Sequence, residues 1–279
     1  MSVAPGPRLG SGRAAEVFEY GSGRVIKLLR EPGRAEWFAR EAAAQSTVRA
    51  AGILAPAVFG MEEFDGRSGI VMERIDGPDG MTAMQRAPWR IWSIGRAVGR
   101  LHRQLEAVAA PPGLRTVREV VMRRIDSSPR IPAAALERLR AIAAVAPDGD
   151  RLCHLDFHPG NVIESPNGLV VIDFSNAASG HPAADYARSV MTFQAGQPAD
   201  DTPVRDRFLI AIGRRLAGKA YVSGYGPPDR QAVSLWMPLV VAARLDEGIP
   251  QERKRLLRML SRTLRAAEAI TGGRGAPTG

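Results

Sequence analysis

Three polar side chains lie around two short apolar segments in the middle of the chain. Asp156 and Asn161 belong to the segment CHLDFHPGNVI, residues 153–163, and Asp173 ends the run LVVID that follows it. Two apolar, β-branched runs separated by a Pro-Asn-Gly turn predict a hairpin that carries polar groups at its ends. Two carboxylates and an amide form a hard oxygen set that suits Mg²⁺ rather than zinc. We therefore expect Asn161 and Asp173 to be metal ligands.

The spacing of these residues is that of a phosphotransfer site. It matches the pattern H-x-D-x-x-x-x-N followed by D-F. The loop HLDFHPGN resembles the H-G-D-x-H-x-x-N loop of the aminoglycoside phosphotransferase and choline kinase family, in which His158 marks the difference from protein kinases. The chain departs from that family at Leu155, where Gly is usual, and at Ser175, where many members are acidic. The alternative interpretation, a hairpin with solvated Asp and Asn turn residues, requires this spacing to arise by chance.

The resemblance implies an α+β, two-lobed protein-kinase-like fold. It places a nucleotide-binding lobe with a five-stranded antiparallel sheet and one helix at residues 1–75, and a hinge at 76–80. A mainly helical lobe with the catalytic loop and the acceptor pocket follows at 81–272, and 273–279 is expected to be a disordered tail. ATP and Mg²⁺ are the implied cofactors, with Asp156 as the catalytic residue that aligns a hydroxyl and takes its proton.

Glycines and a lysine near the N-terminus fit the nucleotide-binding role. Gly10 and Gly12 lie in a turn between two predicted strands, and Lys27 stands among aliphatic residues in the run VIKLL. A lone G-x-G is weak evidence, and a strand lysine more often faces solvent. Their order along the chain predicts that backbone N–H groups close over phosphates and that Lys27 engages the α- and β-phosphates.

A helix from about 34 to 51 and the segment after residue 72 complete the predicted nucleotide site. Glu41 resembles the glutamate that pairs with the strand lysine and is ranked before its competitor Glu36. Backbone groups near Glu73 and Ile75 are expected to bond a purine edge, with Met72 behind the ring. The residues do not distinguish ATP from GTP, and ATP is chosen on its frequency in the family.

The remaining chain is predicted to be mostly helical. The expected helices include one with apolar spacing from Ile91 to Leu105, one with a capping box at Thr116, one from Pro132 to Ala146, and three at about 202–217, 229–247 and 251–270, the second interrupted by Pro238. Asp185 is expected to brace the catalytic loop. Only twelve residues separate Asp173 from Asp185, too few for the activation segment of a protein kinase, which favours a small-molecule acceptor.

The acceptor pocket is less well determined. An acidic cluster comprises Asp200, Asp201, Asp206, Asp246 and Glu247. Asp246 and Glu247 are candidates to receive a cationic substrate, and Trp236 is a candidate wall. Solvated loops and core packing explain the same residues about as well.

Composition narrows the class of protein. The 279 residues are 45% hydrophobic and carry a net charge of +9, spread mostly as arginine over helices rather than as a nucleic-acid-binding tract. No apolar run approaches the roughly 20 residues of a membrane helix, and residues 1–7 show no secretory signal. The single Cys153 suits a reducing cytoplasm and a buried position. A cytoplasmic monomer or homodimer is expected.

These observations predict phosphorylation of a hydroxyl on a small molecule. The favoured acceptor is an antibiotic, either an aminoglycoside or a basic cyclic peptide such as capreomycin or viomycin, which would be inactivated. A small metabolite of the choline or sugar type is the next candidate. A protein kinase and a nucleotide-sensing or nucleic-acid-binding module without turnover follow.

Overall fold

A computed structural model describes residues 4–12, 14–31, 35–196 and 203–272 of the chain. Its N-terminal part is a five-stranded antiparallel sheet in the order β1-β2-β3-β5-β4. The strands are β1 (Arg8–Ser11), β2 (Ala15–Glu19), β3 (Arg24–Leu29), β4 (Val58–Phe64) and β5 (Arg67–Glu73). Helix α1 (Ala35–Ala50) connects β3 to β4. The five-stranded antiparallel sheet with one helix was predicted from the sequence and is confirmed.

The two faces of β3 explain how Lys27 is aimed. Side chains alternate between the faces of a strand, so Ile26 and Leu28 pack on one side while Val25 and Leu29 pack on the other, with Phe38 of α1. Lys27 lies between Val25 and Leu29 and therefore shares the face that α1 covers. Burial of the apolar residues thus directs the lysine toward the helix.

The rest of the chain is mainly helical. Its helices are α2 (Gly80–Arg86), α3 (Ile91–Leu105), α4 (Val117–Ser127), α5 (Ala133–Val145), α6 (Pro182–Ala195), α7 (Val204–Tyr225), α8 (Arg230–Asp246) and α9 (Pro250–Gly272). Four short strands lie among them: β6 (Arg151–Cys153), β7 (Val162–Ser165), β8 (Gly168–Val171) and β9 (Ala178–Gly180). Strands β7 and β8 form the predicted hairpin, and β6 pairs with β9. The α+β, two-lobed kinase-like fold is confirmed.

Several predicted helix boundaries agree with the structure. The capping box at the start of α4 is present, since Thr116 Oγ1 accepts from Glu119 N and Glu119 accepts from Thr116 N. Helix α5 occupies the predicted segment, and α6 begins with Pro182 in its first turn.

Within the described ranges, no helix is both long and apolar enough to cross a membrane.

Two predictions about helices were wrong. Helix α7 does not end at Ala217 but continues to Tyr225. Its Gly224 packs against α3, since a Cβ there would lie 2.0 Å from the Arg96 carbonyl oxygen, so glycine in this segment allows helix contact rather than ending the helix. Helix α8 continues through Pro238, which is buried.

Helix α2 was not predicted as a separate element. It begins at Gly80, the last residue of the predicted hinge, and Asp79 Oδ1 accepts from Thr82 N. The predicted tail, 273–279, lies outside the described residues.

Candidate active site

The predicted catalytic loop, residues 154–161, is held at its start by the carboxylate of Asp185 in α6. The Asp185 carboxylate accepts from His154 N at 2.6 Å and from Leu155 N at 2.8 Å. Burial of Asp185 by itself raises its pKa, but His102, whose Nε2 lies 3.1 Å away, and then His154 outweigh burial and keep that pKa below the usual range. The bracing role expected of Asp185 is therefore visible in the geometry.

Leu155 adopts a left-handed backbone conformation, with φ of 57°. This region costs a residue with a side chain roughly 1–2 kcal/mol, which explains why glycine is favoured at this point of the related loops. Here Asp185 holds the N–H of Leu155, Arg188 Nε donates to its carbonyl at 3.2 Å, and its side chain is buried in the core. The bonds on both sides of Leu155 hold the strained turn that presents Asp156.

Asp156 stands at the open side of this loop with 27% of its side chain exposed. Its two carboxylate oxygens have cationic or polar neighbours at a distance: Arg188 Nη2 lies 3.8 Å from Oδ1, and His158 Nε2 lies 3.8 Å from Oδ2. His158 Nδ1 accepts from Gly160 N, and burial lowers the pKa of His158. Asp156 is thus oriented by its loop but remains accessible to a substrate hydroxyl.

Asn161 and Asp173 offer oxygens that fit a magnesium ion. Asn161 Nδ2 donates to the Asp156 carbonyl at 2.8 Å, which leaves its amide oxygen without a protein donor among the described residues. Asp173 Oδ1 accepts from Lys27, whereas its Oδ2 has no donor in the part of the chain that the structure describes. No cluster of three or more His, Cys, Asp or Glu side chains suited to a metal occurs in the described ranges. Two protein oxygens are what Mg²⁺ needs when phosphates supply further ligands.

Lys27 joins the sheet to the catalytic hairpin. Its Nζ donates to Glu41 Oε1 at 2.7 Å and to Asp173 Oδ1 at 2.9 Å. Burial alone lowers the pKa of Lys27, but the two carboxylates outweigh it and raise that pKa above its usual value. Burial also raises the pKa of Glu41, while Lys27 holds the pKa of Asp173 below its usual range against the effect of burial. The lysine is therefore a permanent cation at this point.

The structure places Glu41, not Glu36, beside Lys27. Only 1% of the Glu41 side chain is exposed. The Glu36 side chain is 89% exposed, and its carboxylate pairs with Arg40 on the same helix. Trp37 Nε1 also donates to the Ser175 carbonyl at 2.6 Å. Helix α1 thus contacts the segment directly after Asp173 and connects the two parts of the site.

Gly10 lies within β1 rather than in the turn where it was predicted, at the edge of the same face, and only Gly12 belongs to the turn. Gly10 is paired with Val17, and Val17 is paired with Lys27, so these three residues form one row across β1, β2 and β3. Gly12 N donates to the Ala15 carbonyl at 2.9 Å and closes the turn. Two strand spacings separate Gly10 from Lys27 by about 10 Å. The row places the glycines near the lysine, as a phosphate site requires.

The predicted hinge begins where β5 leaves the sheet. Glu73 N donates to the Ala57 carbonyl at 2.8 Å, and Arg74 N donates to the Gly23 carbonyl at 3.0 Å. The N–H of Ile75 finds no acceptor among the described residues. The backbone at Ile75 therefore has a free donor, and Met72 is buried just before it.

Two of the residues predicted for an acidic acceptor pocket, Trp236 and Glu247, do not have the positions expected of them. Trp236 is 1% exposed, lies in the core, and donates from Nε1 to the Pro147 carbonyl, so its prediction as a pocket wall was wrong. Glu247 is already paired with Arg188 at 2.5 Å and Arg244 at 2.6 Å, and these cations lower its pKa against the effect of burial. Asp246 is half-buried at the end of α8 and stays a prediction. Asp200 and Asp201 lie outside the described residues.

Sequence reasoning missed Arg188. Its guanidinium contacts the Leu155 carbonyl, pairs with Glu247 and approaches Asp156. The signal was present, because residues three apart lie on the same helix face, and Arg188 follows Asp185 by three in α6. Cys153 is buried, as predicted, and burial raises the pKa of its thiol. His102 is a core residue as well.

The buried carboxyl group of Glu106 makes the stability of the folded chain depend on pH. It is 8% exposed at the end of α3, and burial is the main cause that raises its pKa to about 7, with Arg103 and His102 opposing. A carboxyl whose folded pKa is raised contributes stability below its unfolded pKa, and this is lost as the pH rises through the folded value. We expect the free energy of unfolding to fall between about pH 4.5 and 7.

The test is Glu106→Gln, unfolded by urea at pH 5 and pH 8. Relative to wild type, the variant is expected to gain on the order of 2 kcal/mol more at pH 8 than at pH 5. The exposed Glu62, a residue without this burial, serves as the matched Gln control. Equal gains at both pH values would contradict the assignment to Glu106.

Comparison with known proteins identifies the type of molecule. A family model described as "Phosphotransferase enzyme family" matches residues 6–236. No curated protein sequence matches the chain.

Several solved structures share the fold. An aminoglycoside phosphotransferase, APH(4)-Ia, in complex with AMP-PNP and hygromycin B is 18% identical with a TM-score of 0.56, and the match covers 99% of this chain and 96% of that one. A choline/ethanolamine kinase family protein from Mesorhizobium loti is 17% identical with a TM-score of 0.59, covering 95% and 93%. A complex of the phosphotransferase APH(2")-IIIa with GDP and kanamycin is 16% identical with a TM-score of 0.58, covering 98% and 95%.

Proposed function

Because the chain belongs to the phosphotransferase enzyme family, we propose that it transfers the γ-phosphoryl group of ATP to a hydroxyl group of a small molecule in the presence of Mg²⁺. The observation that carries this proposal is the convergence of Lys27, Glu41 and Asp173, from two separate parts of the chain, beside the loop that presents Asp156. A purely structural role would not explain why a largely buried lysine is paired with two carboxylates next to a third carboxylate, Asp156, that is accessible.

Each residue has a role in this reaction. Lys27 binds the α- and β-phosphates, Glu41 orients Lys27, and the end of β1 with Gly10 and the turn with Gly12 cover the phosphates. Asn161 and Asp173 would hold Mg²⁺, which supplies neutralisation of phosphate charge when bound. The purine edge bonds to the backbone at Glu73 and Ile75, where Ile75 has a free N–H.

Asp156 acts on the acceptor. It accepts a hydrogen bond from the hydroxyl and aligns the oxygen for in-line attack. The new bond forms between that oxygen and the γ-phosphorus, the bond to the β,γ-bridging oxygen breaks, and ADP leaves. The hydroxyl proton passes to Asp156 late in a loose transition state, so that positioning matters more than basicity.

A small acceptor is favoured over a protein. The segment between Asp173 and Asp185 is occupied by a short turn, by β9 and by the start of α6. No length remains there for a segment that docks a polypeptide. ATP rather than GTP remains our choice, although the related structures include complexes with an ATP analogue and with GDP. A cytoplasmic location follows from the need for ATP.

Two acceptor classes were expected from the sequence, an antibiotic and a metabolite. Two of the similar structures are complexes with kanamycin and with hygromycin B, and those proteins are 16% and 18% identical to this chain. Of the residues expected to receive such a polycation, Glu247 is held by arginines and Trp236 is buried. A metabolite is therefore the better supported acceptor.

The experiment is ATP consumption by the purified protein with Mg²⁺ against aminoglycosides, basic peptide antibiotics, macrolides, choline, neutral sugars and sugar acids. We expect turnover with at least one compound of the panel, and Asp156→Asn provides the blank. Failure of the wild-type protein to bind Mg²⁺ and ATP would overturn the proposed function.

A further inference from the structure

A large basic cleft opens next to the segment that follows Asp173. Its volume is about 1030 Å³, which is sufficient for a small-molecule ligand. Helix α1, the turn between β4 and β5, helix α4 and residues 174–177 form its walls. Its charged lining residues are Arg40, Arg115, Arg123, Arg124, Glu36 and Glu63.

The cleft is not the purine end of the nucleotide site. It contacts Gly66 in the turn before β5 and Ser68 near the start of β5, whereas the backbone expected to bond the purine edge begins at Glu73, the last residue of β5. Those ends of a seven-residue strand are about 20 Å apart. Because the cleft also contacts Phe174 and Ser175, it approaches the phosphate end of the site from the side opposite the purine. A ligand in the cleft would therefore lie beside the segment that directly follows Asp173.

Part of the positive charge in the cleft has no ion-pair partner among the described residues. Arg40 is paired with Glu36, but neither Arg115 nor Arg123 has a carboxylate within ion-pair distance among the described residues. Burial, followed by the charges of Arg123 and Arg40, lowers the pKa of Arg115. Guanidinium groups that repel one another in a concave site are stabilised by an anion between them.

Arg124 connects the cleft to the catalytic loop. Its Nη2 donates to Asn176 Oδ1 at 3.2 Å, and its Nη1 lies 3.4 Å from Glu247. Glu247 in turn holds Arg188, whose Nη2 lies 3.8 Å from Asp156. A series of ion pairs and close approaches therefore joins Arg124, in the wall of the cleft, to Asp156, the residue proposed to take the hydroxyl proton.

We propose that the acceptor carries an anionic group, a carboxylate or a phosphate, which Arg115 and Arg123 bind while the reacting hydroxyl faces Asp156. This inference rests on the proposed function and gives its substrate class. It reverses the polycationic acceptor that the acidic residues of the sequence favoured. The arginines of the cleft recognise the oxygens of such a group through paired N–H donors.

The experiment measures binding with the nucleotide site filled by saturating Mg²⁺ and ADP. The probes are glucuronate and glucose 6-phosphate as anions, glucose as the neutral match and kanamycin as the polycation, all titrated calorimetrically at equal ionic strength. We expect at least one anionic probe to bind at least about tenfold more tightly than glucose and kanamycin. The two anionic probes distinguish a carboxylate group from a phosphate group.

Variants locate the binding. Arg115→Gln combined with Arg123→Gln is expected to weaken the anionic probe by at least about tenfold. Arg96→Gln with Arg100→Gln removes the same charge from exposed positions of α3 outside the cleft and is expected to change binding less than twofold, an estimate of roughly 0.4 kcal/mol or less. Circular dichroism and the Tm without ligand show that both double variants fold.

The outcomes separate the two proposals. Tighter binding of kanamycin than of both anions, equal binding of anions and glucose, or equal losses in the two double variants would each overturn the anionic acceptor. Absence of Mg²⁺ and ADP binding in the wild type would overturn the proposed function instead. In that case the probes, titrated without nucleotide, still report whether Arg115 and Arg123 bind anions.

Discussion

Asp156→Asn is expected to lower kcat by roughly 10³-fold, the range for loss of a group that accepts a proton in the transition state. The amide has the size of the carboxylate but cannot take the hydroxyl proton. Because Asp156 makes no contact with Lys27, Glu41 or Asp173 in the described structure, the Kd for the nucleotide should change by less than about threefold, or roughly 0.7 kcal/mol.

Steady-state kinetics with the acceptor that the panel of compounds identifies, and calorimetric titration of ATP, provide the two measurements. The matched control is Asp148→Asn, which alters an aspartate that is 70% exposed and paired with Arg118. Its kcat should equal that of the wild type. Loss of nucleotide binding in Asp156→Asn, with kcat for the bound fraction retained, would remove Asp156 from the catalytic role.

Lys27→Met is expected to lower kcat/KM for ATP at least about 100-fold, since the phosphates lose their fixed cation. The same change leaves Glu41 buried without its partner, and removing one member of a buried ion pair costs about 3–5 kcal/mol. Without Lys27 the pKa of Glu41, which burial already raises, should rise further. A raised carboxyl pKa makes stability fall as the pH increases, so the variant should lose more stability at pH 8 than at pH 5.

A double variant separates the two effects. Glu41→Gln in the Lys27→Met background removes the unpaired carboxylate and should restore most of the lost free energy of unfolding, measured by urea titration. Activity should remain at the level of Lys27→Met, because the cation is still absent. If Lys27→Met alone retained both wild-type stability and wild-type KM for ATP, the triad of Lys27, Glu41 and Asp173 would not be the nucleotide anchor.

The predicted site was most accurate where its residues are close in sequence. Asp156, Asn161 and Asp173 lie within one loop and one hairpin, so their spacing alone predicts that they meet. The turn residues Pro166, Asn167 and Gly168 and the β-branched flanks also fix the hairpin locally. The capping box at Thr116 is local in the same sense, and the helix that it predicts is present.

Pairings between distant residues required more than local pattern. The sequence offered Glu36 and Glu41 as partners for Lys27, both acidic and both on α1. The direction of each residue around the helix decides between them: one is buried against the sheet, and the other is exposed. Helix ends likewise depended on neighbours, because Gly99 of α3 packs on α7 and the buried Pro238 does not end α8.

The charge of the acceptor region shows the largest difference between sequence and fold. Asp246 and Glu247 are adjacent acidic residues, and their types alone favour a cationic ligand. In the folded chain, three arginines surround the carboxylate of Glu247. Arg188 and Arg124 come from distant segments, and Arg244 precedes Glu247 by three residues. The excess of positive charge then falls on Arg115 and Arg123 in the open cleft.

The sequence by itself determined the positions of the candidate site residues and the order of elements: the loop aspartate, the two metal-binding candidates and the strand lysine. These positions follow from spacing within short segments, which backbone geometry converts directly into position. Only the tertiary structure decided which glutamate meets Lys27, that Trp236 is core, and which charged side chains remain without an ion-pair partner among the described residues. Those properties depend on side chains that come together from distant segments, where burial and ion pairing cancel some charges and leave others open.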